Sequence, residues 1–306
     1  MRFQPAEYEQ IRDIQSKVYH PHRTELGRAG SFIDEYRQMF EGGSIAEVFH
    51  ENTKLNEITR RRQVATNDEM SEPGMGYVQA NIDSDRLERE LVKLPEDVTL
   101  EGDIGSVLRK RRSRRSFTDE PISIRDLSKL LLYGAGVSAE APIGDELVKP
   151  KRTYPSPGGL YGAELYLAAR DIEGIDPGLY YYSTPKHGIR RLEADSGLFQ
   201  ADLEDAILTE DAIPIDSTPL FILLSGAFGR ITAKYGPRGY RYALQETGHL
   251  CQNLLLAAEA TGLGGVPLSA YDDRRANDLL GVNGVDEATV YAVGMGYPET
   301  TGGNNE

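Results

Sequence analysis

Cysteine occurs once in the 306 residues, at Cys251. A single thiol excludes an internal disulfide and leaves no cysteine-built metal site. The five histidines, at 20, 22, 50, 187 and 249, are scattered, and no third ligand follows the close pair at metal-site spacing. No metal is expected. No apolar run approaches the roughly 18 residues of a membrane span. The opening MRFQPAEYEQ is polar and lacks the apolar segment of a secretory signal, so a cytoplasmic protein without membrane association is expected. Lysine is scarce as well, nine residues among 34 cations.

Acidic residues are plentiful: 48 Asp plus Glu against 34 Lys plus Arg, a formal net charge of -14. That balance argues against nucleic acid as a partner, because neutralising phosphates needs a broad basic face. An acidic, arginine-rich, lysine-poor surface suits high salt, where screening removes self-repulsion. Loss of fold at low salt is the outcome this reading predicts. The length allows one large domain or two modest ones, with a core that needs no covalent staples.

The hydrophobic pattern divides the chain. Residues 1–98 read as a helical N-terminal extension, with SFIDEYRQMF placing Phe32, Tyr36, Met39 and Phe40 on one helical face. Residues 99–298 carry mixed signals. DIGSVLRKRRS starts a helix at the N-cap Asp103. SIRDLSKLLLYG starts at Ser123 and is expected to stop at Gly134. AELYLAAR reads as a strand, GLYYY–STPKHG–IRRLE as a hairpin, and PLFILLSGAF as a fully buried strand. YRYALQETGHLCQNLLLAAEATG reads as a long helix, with Leu244 among its apolar positions and burial on nearly all sides. ATVYAVGMGYP is the last strand, and residues 299–306 read as a disordered tail. The fold class expected is α+β: a mixed β-sheet flanked by helices, with a buried central helix and the helical extension.

Against this acidic background, RKRRSRRSF puts six cations into the seven positions Arg109–Arg115. Taken alone, such a run is a solvated basic patch. Here it lies between Val107–Leu108 and Phe117, so part of it is expected to face the core. Five of its six cations are arginine, whose planar fork grips phosphate bidentately. A phosphate-bearing cofactor would account for the run. In YPSPGGLYGAELYLAAR, Pro155 and Pro157 stiffen the backbone while Gly158–Gly159 allow close approach; the bland reading is an ordinary turn. Gly134, Gly136 and Ala139 match a dinucleotide fingerprint, but they end a helix rather than follow a strand, and the match is rejected. Lys234 and Tyr235 lie just before the central helix, in an expected loop, and are candidate proton-transfer groups. The alternative is a solvent-facing lysine and a core-edge tyrosine. His249 is read as a satisfied core histidine and Cys251 as a small core hydrophobe. TGLGGVPLSAYDD leaves the backbone N–H groups of Ser269 and Ala270 free to meet a ligand.

In this order the pieces resemble the nitroreductase-like flavoprotein superfamily: R-x-S-x-R-x-F, PS before a strand, and a long helix ending GLGG-x-P. FHENTK at 49–54, PSPGGLYGAELYL and KYGPRGYRYALQETGHLCQN bring it closer to the SagB-type azoline dehydrogenases. The resemblance implies an FMN-binding homodimer with two flavins at its interface. Arg111, Arg112, Ser113 and Arg115 would hold the phosphate and ribityl region. Pro155, Ser156, Pro157 and Gly159 would reach the flavin from the partner subunit, and the Ser269 and Ala270 amides would lie near its N5 and O4 edge. Lys234 and Tyr235 match the pair implicated in azoline oxidation.

The implied reaction is two-electron oxidation of a thiazoline or oxazoline in a ribosomal peptide, with a cyclodehydratase as a further partner. Lys234 or Tyr235 would take a ring proton, and oxygen would reoxidise the flavin. Many superfamily members carry a Lys or Arg after the last strand. GYPETTGGNNE has neither, which places more of the phosphate on 111–115. Two other readings stay open: an NAD(P)H-dependent nitroreductase-like reductase, and a non-catalytic subunit of a peptide-modifying complex.

Overall fold

A computed structural model describes residues 46, 49–50, 53–54, 86, 88–143, 147–192, 196–208 and 213–299. The chain divides into two units, 1–54 and 55–306. In the first, Thr53 Oγ1 donates to the carbonyl of Phe49 at 2.6 Å, closing a helical turn. The other features expected before residue 86, and those after 299, lie outside the described residues.

The second unit is built on a seven-stranded sheet in the order β1-β6-β5-β4-β7-β9-β8. The strands are β1 (Leu91–Lys93), β4 (Ala163–Ala169), β5 (Gly178–Ser183), β6 (Gly188–Arg191), β7 (Leu220–Ala227), β8 (Gly264–Leu268) and β9 (Glu287–Gly296). Neighbours in this sheet pair antiparallel. β1, from the stretch read as extension, closes one edge. β2 (Val137–Ile143) and β3 (Leu147–Arg152) form a separate hairpin that no sequence signal had marked.

Helices cover both faces. Six are described in this unit: α1 (Ile104–Lys110), α2 (Ile124–Ala135), α3 (Ser196–Ala206), α4 (Phe228–Tyr235), α5 (Arg238–Thr261) and α6 (Asp273–Leu280). The apolar run of β7 explains the three layers, because alternate side chains of a strand point to opposite faces. Leu220, Ile222 and Leu224 join the cluster that includes Leu130 of α2 and Leu254 of α5. Phe221 and Leu223 join the cluster with Leu203 of α3 and Ala276 of α6. Truncating a leucine in either cluster to alanine costs about 2–5 kcal/mol.

Ser123 caps α2, its Oγ accepting from the Asp126 amide at 3.1 Å. Gly134, read as the stop, lies inside the helix, which runs on to Ala135 and caps at Gly136. Packing is the reason: a Cβ at Gly134 would come within 2.7 Å of Leu254 Cδ2, so the glycine lets α2 and α5 meet. Gly136 leads from a helix into β2, the reverse of the strand-to-helix order that the rejected fingerprint needs. α5 ends as expected at Gly262, in the left-handed conformation with φ 86°. His249 and Leu244 differ from expectation: His249 is exposed, and so is Leu244 at 40%. α5 buries the side that carries Ala243, Leu250 and Leu254 and leaves a strip of the opposite side in water.

Candidate functional site

Lys234 and Tyr235 occupy the last turn of α4, not the loop expected from the glycine and proline that follow. Gly236, with φ 57°, breaks the backbone, and Pro237 opens α5. Both side chains are half-buried and face the Pro155–Gly159 loop. Gly158 there has φ 60°. A Cβ on it would collide with the Tyr235 hydroxyl and lie 3.0 Å from Lys234 Nζ. Glycine is therefore required twice, by conformation and by space. The Lys234 ammonium sits 5.5 Å from the Tyr235 ring centroid, and Tyr242 meets that ring edge-on at 5.1 Å. Burial, with Tyr242 nearby, pushes the Tyr235 hydroxyl above its ordinary pKa. The hydroxyl is thereby held in its protonated form.

A polar network fixes this corner. Ser156 Oγ donates to Glu246 Oε2 at 2.6 Å and accepts from the Tyr161 amide at 2.8 Å. The other Glu246 oxygen accepts from the Ala163 amide at 3.0 Å. Tyr161 holds φ 50°, a strained conformation for a non-glycine residue. Its carbonyl accepts from Arg230 Nη1 and its hydroxyl from the Arg152 amide. Arg230, one turn before Lys234, pairs with Glu164 at 2.6 Å, and Tyr181 donates to the same carboxylate at 2.8 Å.

The two glutamates titrate in opposite directions. Burial pushes Glu246 up, and its hydrogen bonds and the nearby arginines offset only part of that. Burial acts on Glu164 the same way, but the charges of Arg230 and Arg152 outweigh it and hold that carboxyl below its ordinary value.

The basic run sits elsewhere. Arg109 and Lys110 end α1, and Arg112 Nη1 caps that end by donating to the Arg109 and Arg111 carbonyls at 2.7 and 2.9 Å. Ser113 bridges Gly265 in parallel, and the Arg114 amide donates to the Gly265 carbonyl at 3.2 Å, so β8 carries the loop. The cations do not face the core as expected. Val107 and Phe117 are buried at the two ends, while Arg109, Lys110, Arg112 and Arg115 are exposed and Arg111 and Arg114 half-exposed. Among the described residues none of the six pairs with a carboxylate. Ser269 and Ala270 follow the far end of β8, exposed, beside a groove of about 340 Å³ lined in part by Phe228, Tyr240, Leu244 and Tyr271.

The named residues thus fall into separate groups. The loop that carries Pro155, Ser156, Pro157 and Gly159 meets Lys234 and Tyr235 through Gly158 and is bonded to Glu246 through Ser156. Arg111, Arg112, Ser113 and Arg115 lie beside Gly265, beyond the end of α5. At 1.5 Å per residue, Glu246 and Thr261 are about 23 Å apart along the helix axis. Glu246, Arg230, Glu164 and Tyr161 were missed by motif reasoning. For Glu246 a signal existed: it shares a helical face with Ala243 and Leu250, at i-3 and i+4, so the period alone buries it.

A seven-stranded antiparallel sheet between helical layers, with a long helix leading through GLGG into the edge strand β8, defines an α+β scaffold. Residues 108–297 match the nitroreductase family, and the chain belongs to it. MJ1384 of Methanocaldococcus jannaschii, which carries a nitroreductase name, is 34% identical over 192 residues, covering 62% of this chain and 88% of that protein. The microcin B17-processing protein McbC of Escherichia coli is 28% identical over 156 residues, covering 50% of this chain and 54% of McbC. A chain of the E. coli microcin synthetase McbBCD complex with truncated pro-MccB17 bound superposes with TM-score 0.50 at 23% identity, covering 74% and 82% of the two chains. Among the described residues no helix is long and apolar enough to cross a membrane.

Proposed function

We propose that the chain is an FMN-dependent dehydrogenase of the SagB type, oxidising thiazolines or oxazolines in a peptide to the aromatic azoles. One observation carries the proposal: Lys234 and Tyr235 converge on Gly158, so the proton-transfer pair and the loop assigned to the flavin share one corner. The similarity to the microcin B17-processing protein McbC supports the peptide substrate, and a cyclodehydratase partner is part of the same reading. The chain spans about half the length of McbC.

FMN fits the donor set. Proteins of this family commonly bind flavins. Arg111, Arg112, Ser113 and Arg115 offer guanidinium and hydroxyl donors that no carboxylate occupies among the described residues, the chemistry a phosphate requires. Pro155, Ser156, Pro157 and Gly159 would supply a close backbone wall, and Ser269 and Ala270 amide donors. When bound, FMN supplies the two-electron acceptor for ring oxidation. The protein's own work is proton handling. Tyr235, held protonated, would donate a hydrogen bond to the ring heteroatom, and Lys234 is the group assigned to take the ring proton.

The separation of the two groups along α5 is the physical case for a homodimer, in which the loop of one copy would meet the basic run of the other. The exposed strip of α5 with Tyr240, Leu244, Gly248 and His249 is the surface such a pair would use. In this reading the domain proper spans 99–298, with 1–98 an extension whose Leu91–Lys93 adds the edge strand β1 to the domain's sheet.

The test is direct. Purified protein should show flavin absorbance and convert a thiazoline peptide to the thiazole. Lys234→Ala should keep the absorbance and lose the conversion. A colourless protein that refuses added FMN sinks the proposal. The identity to MJ1384 favours one second reading, an NAD(P)H-dependent reductase. Rapid bleaching of the flavin on mixing with NADPH would select it.

A further inference from the structure

Glu246 is a carboxylate on the buried face of a helix, and neither an arginine nor a lysine is its hydrogen-bond partner. Burying such a group in an ordinary packing role is costly. Its two oxygens instead take the two polar groups that bracket the flavin-side loop: the Ser156 hydroxyl where the loop starts and the Ala163 amide where β4 begins. Between them lie Gly158, against Lys234 Nζ and the Tyr235 hydroxyl, and the strained Tyr161. The loop is also held from α4, because Arg230 binds the Tyr161 carbonyl one turn before Lys234. Loop and lysine are thus tied to one another through α4; Glu246 ties the loop to the long helix, with Asn253 donating to the Thr153 carbonyl at 3.0 Å just before it and Tyr242 packed on Tyr235.

We infer that Glu246 is a positioning residue that sets the distance between the Pro155–Gly159 backbone and the Lys234–Tyr235 pair. It touches neither substrate nor cofactor and acts through Ser156 and Ala163. The inference rests on the reading above for its relevance to catalysis, but its geometry does not depend on a flavin. Removing the carboxylate leaves the Ser156 hydroxyl and Ala163 amide without an acceptor, and the loop moves away from Lys234. Glutamine keeps the length and one carbonyl oxygen and so retains most of the bracket.

The test uses the full chain with its lysines reductively dimethylated by ¹³C-formaldehyde and a borane reductant. The Lys234 signal, one of nine lysines, is assigned with Lys234→Arg. Glu246→Ala and Ser156→Ala should shift the Lys234 resonance and leave the other lysine signals in place, and Glu246→Gln should restore it most of the way. General destabilisation would move many signals and would not be rescued by glutamine. A Lys234 signal unmoved in folded Ser156→Ala and Glu246→Ala, or displaced as far by Glu246→Gln, overturns the inference. If Glu246→Ala does not fold, Ser156→Ala decides it. FMN titration of the unmodified wild type is read separately: failure to bind sinks the dehydrogenase proposal, while the lysine signal still judges Glu246.

Discussion

The loop Arg109–Arg115 leaves its cations in or near water with no carboxylate paired to them among the described residues. The corner from Pro155 to Ala163 does the reverse, surrounding Arg230 and the buried Glu164 and Glu246 with specific partners. A charge left in water costs the fold little and remains available to an anionic ligand. A charge taken out of water is tolerable only if each of its hydrogen bonds is met. The first arrangement suits binding and the second suits holding a geometry, and the two groups lie at different points along α5.

The largest effect separating them should come from Arg230→Met. It leaves Glu164 buried without its ion-pair partner, a loss of about 3–5 kcal/mol, measured by urea unfolding. A loss below 1 kcal/mol would break the comparison. Gly158→Ala should come next. A left-handed alanine costs about 1–2 kcal/mol, and the collision with Tyr235 adds to that. Gly174→Ala is the control, since Gly174 has φ 73° with nothing near its Cβ position. Equal melting temperatures for the two variants would show that the corner is not tightly set.

The pH dependence of stability sharpens the contrast within the corner. Glu164 is held below its ordinary value, so its contribution is present above about pH 4.5 and lost as pH falls through its folded value. Glu246 is raised, so the folded chain keeps that proton longer than the unfolded chain does. Its effect on stability declines as pH rises from about 4.5 through the raised value. Glu164→Gln should flatten the acid limb of the stability curve, and Glu246→Gln should remove the decline above it. The same sign of change in both would contradict the assigned charges. The smallest stability effect belongs to the basic loop: Arg115→Ala should stay within about 0.5 kcal/mol. FMN affinity, and its dependence on salt, should fall in that variant; unchanged affinity would remove Arg115 from the phosphate site.

Part of this was legible along the chain. Asp103 and Ser123 cap their helices as composition predicts, because an N-cap bond is local. β7 and α5 were readable from apolar period and length. The basic run was conspicuous by its charge. By contrast, the β2–β3 hairpin, with Pro142 and Pro150 in its strands and little apolar alternation, carried no strand signal. The helix ending at Tyr235 was hidden because Gly236 and Pro237 read as loop, and their effect reaches only the residues after the helix.

By itself, the sequence determined where the basic run and the candidate residues stand along the chain, where most of the strongly periodic elements form, and that α5 has an apolar face. Those properties depend on residue type and on neighbours within a few positions. Only the tertiary structure decided that Glu246 meets Ser156 across 90 positions, that Gly134 serves packing rather than termination, and that the basic loop and the Lys234 corner stand apart in one chain. Such facts depend on which elements become neighbours in space, and no local period or spacing encodes that.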